Sequence, residues 1–95
     1  MSEYRIVFSP HAKQRLEEIA AYLYKQQLSK SFVRDYLHRF ETWLEAVLGQ
    51  FPDSGSPMLE YGKDIRRIVY QKYSFVYRLK GNEIEILTIY RENQP

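Results

Sequence analysis

The sequence predicts an α+β fold: a short N-terminal strand, then an antiparallel two-helix hairpin packed on one face of a C-terminal three-stranded antiparallel sheet. Three observations predict it. Two long stretches with apolar residues at helical spacing follow one another across a short break. Three alternating runs rich in β-branched and aromatic residues come after them. A Gly81-Asn82 pair separates the last two runs, as a tight hairpin requires. The length of 95 residues suits one small domain spanning 1–95. Hydrophobic content of 44% argues for a folded chain rather than a disordered one.

The first element is "EYRIVF", residues 3–8, with Tyr4, Ile6 and Phe8 on one face. Ser9 can cap a helix, and Pro10 fits its first position. Ala12, Leu16, Ile19, Ala20 and Leu23 then recur at helical spacing, so helix one covers about residues 10–26. Ser29 caps the next helix, with Leu28 and Val33 spaced as a hydrophobic staple. Its apolar stripe is wide: Val33, Tyr36, Leu37, Phe40, Trp43, Leu44, Val47 and Leu48. Gly49 and Pro52 stop it. Residues 51–64, "FPDSGSPMLEYGKD", form the main loop, followed by the strands "IRRIVY", "YSFVYRL" and "EIEILTIY".

Several function classes are disfavoured. The formal charge is +2, too balanced for nucleic-acid binding by bulk electrostatics. There is no cysteine, and His11 and His38 lie on different helices, so no metal site and no cofactor are expected. Phosphate-cradling glycine motifs are missing. No apolar run reaches membrane-spanning length, and the N-terminal stretch lacks a signal-peptide apolar region. The expectation is a soluble cytoplasmic protein without membrane contact.

A turn at Gly81-Asn82 sets the expected hairpin register: Leu79 opposite Ile84, Arg78 opposite Glu85, Tyr77 opposite Ile86, Val76 opposite Leu87, Phe75 opposite Thr88, Tyr73 opposite Tyr90 and Lys72 opposite Arg91. Tyr77 and Tyr90 then face the helices, where a structural role suits them. Arg78 and Arg91 share the outer face at opposite ends, roughly 20 Å apart at ~3.3 Å per residue. Arg78 faces Glu85, a charge pair that needs no ligand. Val76, Leu87 and Ile89 form an apolar outer patch that invites cover by a partner or the chain's own tail. Lys63, Arg66 and Arg67 form a charge cluster, with Arg66 and Arg67 on opposite faces of their strand.

The ordered set "FPDSG", Arg66 and "YSFVYRLKGNEIEILTIYR" resembles the ParE/RelE toxin superfamily of type II toxin–antitoxin modules, over nearly the whole chain. The resemblance implies a bacterial toxin that inhibits growth, stabilises plasmids and is neutralised by a cognate antitoxin in a hetero-oligomer. RelE-like members are ribosome-dependent messenger ribonucleases with basic residues on the central strands and a basic, His or Tyr group near the C-terminus. ParE-like members poison DNA gyrase by protein contact. Ser74 stands where the ribonucleases tend to carry a cation, and the chain ends at "ENQP" without a later Tyr or His. Tyr90 stands where ParE-like chains often carry His. The ParE-like, non-enzymatic reading is favoured. Its partner-contact candidates are Arg66, Arg67, Arg78, Tyr90 and Arg91, and its antitoxin-docking candidates are Val76, Leu87 and Ile89. The alternatives are a ribonuclease acting on ribosome and messenger, and a non-toxic orphan interaction module.

Overall fold

A computed structural model describes residues 4–92 of the chain. Its elements are β1 (Arg5–Phe8), α1 (Pro10–Lys25), α2 (Lys30–Leu48), β2 (Ser56–Pro57), β3 (Ile65–Tyr70), β4 (Tyr73–Lys80) and β5 (Glu83–Arg91). Glu3, expected to open the first strand, and the closing residues 93–95 lie outside the described residues.

The helices form where their caps and stripes place them. Ser9 Oγ accepts from Ala12 N at 3.0 Å and Ser29 Oγ from Phe32 N at 3.1 Å, each supplying a partner to an otherwise orphaned N–H. Gly49 is the C-cap of α2. Both helices lie on one face of the sheet. Phe40, Leu44 and Leu48 of α2 and Ala12 of α1 are buried there with Phe75, Tyr77, Ile84, Ile86 and Ile89. Phe40 makes edge-on contacts with Tyr70, Tyr73 and Phe75 at centroid distances of 5.9, 5.4 and 5.3 Å, the geometry that aromatic quadrupoles favour.

The sheet differs from the expected three-stranded antiparallel one. It has five strands in the order β1-β5-β4-β3-β2 and is mixed. β1 runs parallel to β5, pairing Arg5 with Glu83 through Phe8 with Ile86. The α-hairpin provides the long connection that a strand needs to rejoin a sheet in this sense. β2 is a two-residue edge in the long loop, pairing Ser56 with Arg67 and Pro57 with Arg66. Such short, proline-bearing edges give little invitation to edge-to-edge association.

The β4–β5 register also departs from the expectation. Leu79–Ile84, Arg78–Glu85 and Tyr77–Ile86 pair as the turn predicts. Beyond them a β-bulge between Val76 and Tyr77 shifts the partners to Val76–Thr88, Phe75–Ile89, Ser74–Tyr90 and Tyr73–Arg91. Leu87 is the extra residue, and every side chain after it changes face.

The bulge lies where β1 leaves β5. Ser9 N still donates to Ile86 O at 2.9 Å, and the chain then turns into α1. β5 continues without a strand on that side. Its free carbonyls are taken by side chains instead: Ser9 Oγ donates to Leu87 O at 3.0 Å and Arg15 Nε to Ile89 O at 2.9 Å. Buried carbonyls need such partners. Ser9 thus both caps α1 and satisfies the bulge. Ser9→Ala is expected to destabilise the chain by about 1–2 kcal/mol, read as a shift in denaturation midpoint at unchanged slope.

Candidate functional site

The bulge separates the candidate residues that the unbroken register brought together. Val76, Ser74, Thr88 and Tyr90 share the outer face, away from the helices, with Ile65 and Arg67 of β3. Ile89 is the correction to the docking patch: it pairs with Phe75 on the helix face and is 0% exposed. Tyr90 moves the other way, from the expected core to the outer face. Arg91 lies on the helix face, not outside. Its guanidinium sits 5.8 Å from the centroid of the Tyr22 ring and reaches the Tyr22 hydroxyl at 3.5 Å. That hydroxyl holds the Arg91 pKa above its ordinary value. Leu79, expected against the helices, stays largely exposed beside the turn.

Arg66 and Arg67 point to opposite faces and do different things. Arg66 Nη1 donates to Gly55 O at 2.7 Å and Asp53 O at 3.2 Å, so it braces the long loop. Tyr77 completes that brace from β4. Its hydroxyl donates to Pro52 O at 2.7 Å and accepts from Gly55 N at 3.0 Å. Burial pushes the Tyr77 phenol pKa up, against the opposing pull of the Gly55 N–H. A ring this deep in the sheet, with both hydroxyl bonds spent on backbone, is a structural anchor.

Arg67 lies on the outer face. Its Nη1 donates to Glu92 Oε1 at 3.1 Å and to Ser74 Oγ at 3.4 Å. Tyr90 beside it, and then Glu92, hold its pKa above the ordinary value. Ser74 is fully buried and finds its polar partner in this guanidinium. Toward the hairpin turn, Arg78 Nε donates to Glu85 Oε1 at 2.8 Å. The two outer arginines are therefore each paired with a carboxylate.

Between these ion pairs runs an apolar groove of about 450 Å³, lined by Met58, Tyr61, Ile65, Val76, Leu87, Thr88 and Tyr90. Val76 and Leu87 of the expected patch contribute to it; Ile89 does not. Sequence reasoning missed Met58, Tyr61 and Ile65, and also Glu92. The signal for the first two was present. Met58 and Tyr61 are large apolar residues in the loop, and Tyr61 stands 69% exposed. The start of that loop, Pro52 to Gly55, is tied to the sheet by Tyr77 and Arg66. Among the described residues no His, Asp or Glu group is arranged to hold a metal ion, and no helix is long and apolar enough to cross a membrane.

No curated protein matches the chain. Among solved structures, a chain of the chromosomal ParDE toxin–antitoxin system from P. aeruginosa superposes with a TM-score of 0.73 at 19% identity, covering 96% of this chain and 98% of that one. A chain of the RelBE2 toxin–antitoxin complex from Mycobacterium tuberculosis gives 0.63 at 14% identity, covering 99% and 97%. At these identities the likeness speaks for the fold. The family model for the ParE toxin of the parDE type II toxin–antitoxin system matches residues 6–94, nearly the whole chain. The chain belongs to the family of ParE toxins of type II toxin–antitoxin systems.

Proposed function

We propose that this toxin acts by protein contact, inhibiting DNA gyrase, and that a cognate antitoxin neutralises it by covering the outer groove at Val76 and Leu87. The observation that carries the reading is the dispersal of the arginines. Cleavage of RNA by its own 2′-hydroxyl needs cations converging on one phosphate and a group to move the proton. Here Arg91 lies on the helix face, Arg66 is bound to loop carbonyls, and Arg67 and Arg78 are each held by a separate carboxylate, Glu92 and Glu85. Ser74 offers no charge between them. Dispersed arginines beside exposed apolar side chains suit protein recognition, where such residues anchor contacts.

One observation favours the ribonuclease reading: Arg67 and Tyr90 are neighbours on the outer face. Against it stands Glu92, whose carboxylate holds Arg67 and would repel a phosphate there.

Expression in bacterial cells tests the proposal. Growth arrest with intact messenger, relieved by the antitoxin encoded beside the toxin, is the expected result. Arrest with messengers cut inside translated frames supports the ribonuclease reading. Growth without arrest supports the orphan reading.

A further inference from the structure

On the helix side of the sheet, beyond the point where β1 leaves β5, a hollow of about 200 Å³ opens between α1 and the end of β5. Arg15, Glu18 and Tyr22 line it from α1, at the spacing that sets residues on one helix face. Tyr73 and Arg91, opposite each other in the β4–β5 register, line it from the sheet. Arg15 is committed to the fold: its Nε donates to Ile89 O and its Nη1 to Glu18. Arg91 is not. It makes no ion pair among the described residues. Its side-chain hydrogen bond there is a long one, 3.5 Å to the Tyr22 hydroxyl. A guanidinium carries five N–H donors in a planar fork, so within the described residues most of them stay open to a ligand.

The charged groups lining the hollow are two arginines against one glutamate, which leaves one positive charge in excess. That excess suits a single carboxylate, which a guanidinium holds through two parallel bonds. A phosphate dianion would meet the Glu18 carboxylate as well. The Arg91 charge also acts on the Tyr36 and Tyr73 phenols, whose pKa burial pushes above the ordinary value. Both phenols therefore stay protonated at neutral pH and do not compete with an incoming anion. Aromatic surface adjoins the hollow. Tyr22 and Phe32 are each 46% exposed, and Phe32 stacks on Tyr36 at 6.1 Å between ring centroids. Exposed rings beside an uncommitted arginine have the make-up of a protein-binding hot spot. Resting on the reading of inhibition by protein contact, we propose that this hollow holds the toxin's target, with Arg91 gripping an acidic side chain of the target protein and the Tyr22 and Phe32 rings packing around it. Tyr90 lines both this hollow and the outer groove, so an antitoxin seated in the groove reaches the rim of the target site.

Two titrations of wild-type and variant toxins test this: inhibition of supercoiling by purified gyrase, and binding of the full-length antitoxin by calorimetry. Arg91→Gln is expected to raise the toxin concentration for half-inhibition roughly 30-fold, while its antitoxin affinity stays within about twofold of wild type. Arg91→Lys keeps the charge but not the fork, and is expected to recover only part of that loss. Phe32→Ala, in the exposed first turn of α2, is expected to weaken inhibition roughly fivefold. It keeps the test readable if Arg91→Gln fails to fold. Unchanged inhibition by folded Arg91→Gln, or by Phe32→Ala where Arg91→Gln does not fold, overturns the proposal and leaves the gyrase reading intact. Acetate or inorganic phosphate that binds wild type but not Arg91→Gln, with inhibition unchanged, assigns the hollow to a free anion and likewise overturns it. Equal loss of inhibition and of antitoxin binding, in a variant that melts like wild type, also overturns it by placing both partners on one surface. A wild-type toxin that leaves gyrase fully active overturns both readings.

Discussion

An Ile89→Asp variant is expected to lose cooperative folding, while Leu87→Asp, two residues away, is expected to melt close to wild type. The two positions look alike in sequence and lie on opposite faces in the fold. Ile89 pairs with Phe75 under the helices and is fully buried. A carboxylate there has no partner, and its burial costs more than ~4 kcal/mol. That is a large share of the ~5–15 kcal/mol that stabilises small domains. Leu87 occupies the bulge and lines the outer groove. Its replacement should cost about 1 kcal/mol or less in stability, yet reduce antitoxin affinity by roughly 30-fold or more, as expected for an anchor at the centre of an interface. Thermal melting of both variants, with antitoxin titration of Leu87→Asp, checks this. Equal destabilisation would place both residues on one face and remove the bulge from the account.

Gly55→Ala is the second large effect, expected to destabilise the chain by about 2–3 kcal/mol. An added Cβ would lie 2.6 Å from the Tyr77 hydroxyl, 2.7 Å from a Tyr77 ring carbon and 2.9 Å from the Arg67 carbonyl oxygen. Neither contact can yield cheaply. The Tyr77 ring is fixed by its bonds to Pro52 and Gly55, and the Arg67 carbonyl belongs to a paired strand. For a domain of this size the loss corresponds to a melting shift of roughly 10–20 °C. Tyr77→Phe should cost about 1–3 kcal/mol, because it leaves the Gly55 N–H and the Pro52 carbonyl short of a partner. Combining the two should recover only part of the Gly55→Ala loss, since the ring carbon and the strand carbonyl still crowd the new methyl. Full recovery would mean that the hydroxyl alone enforces the glycine.

These two sites also mark what was legible beforehand. The helices, their serine caps and the Gly81-Asn82 turn depend on local patterns, and they form where those patterns place them. The first half of the β4–β5 register followed from the turn alone. The second half did not, because a bulge is set by what lies beside the strand. β1 departs after Phe8, and Ser9 and Arg15 take up the carbonyls it leaves. Those contacts join residues more than 70 positions apart in sequence. The apolar positions of β5 carry a trace of it: the core spacing is two from Ile84 to Ile86, then three to Ile89. The parallel pairing of β1 is likewise a long-range fact that alternation in "RIVF" cannot express. Alternation from the turn placed Val76, Leu87 and Arg78 on the outer face, where they lie, and set Arg66 and Arg67 on opposite faces. Met58 and Tyr61 were visible as apolar loop residues, but a loop has no period from which to read the face they cover, and neither does the strand end that carries Glu92.

The central claim, inhibition by protein contact, is tested most directly by supercoiling of relaxed plasmid by purified gyrase with increasing toxin. The account predicts dose-dependent loss of supercoiling that the antitoxin reverses when mixed with the toxin beforehand. Full supercoiling at excess toxin, with messenger cleaved in a parallel ribosome reaction, would contradict it.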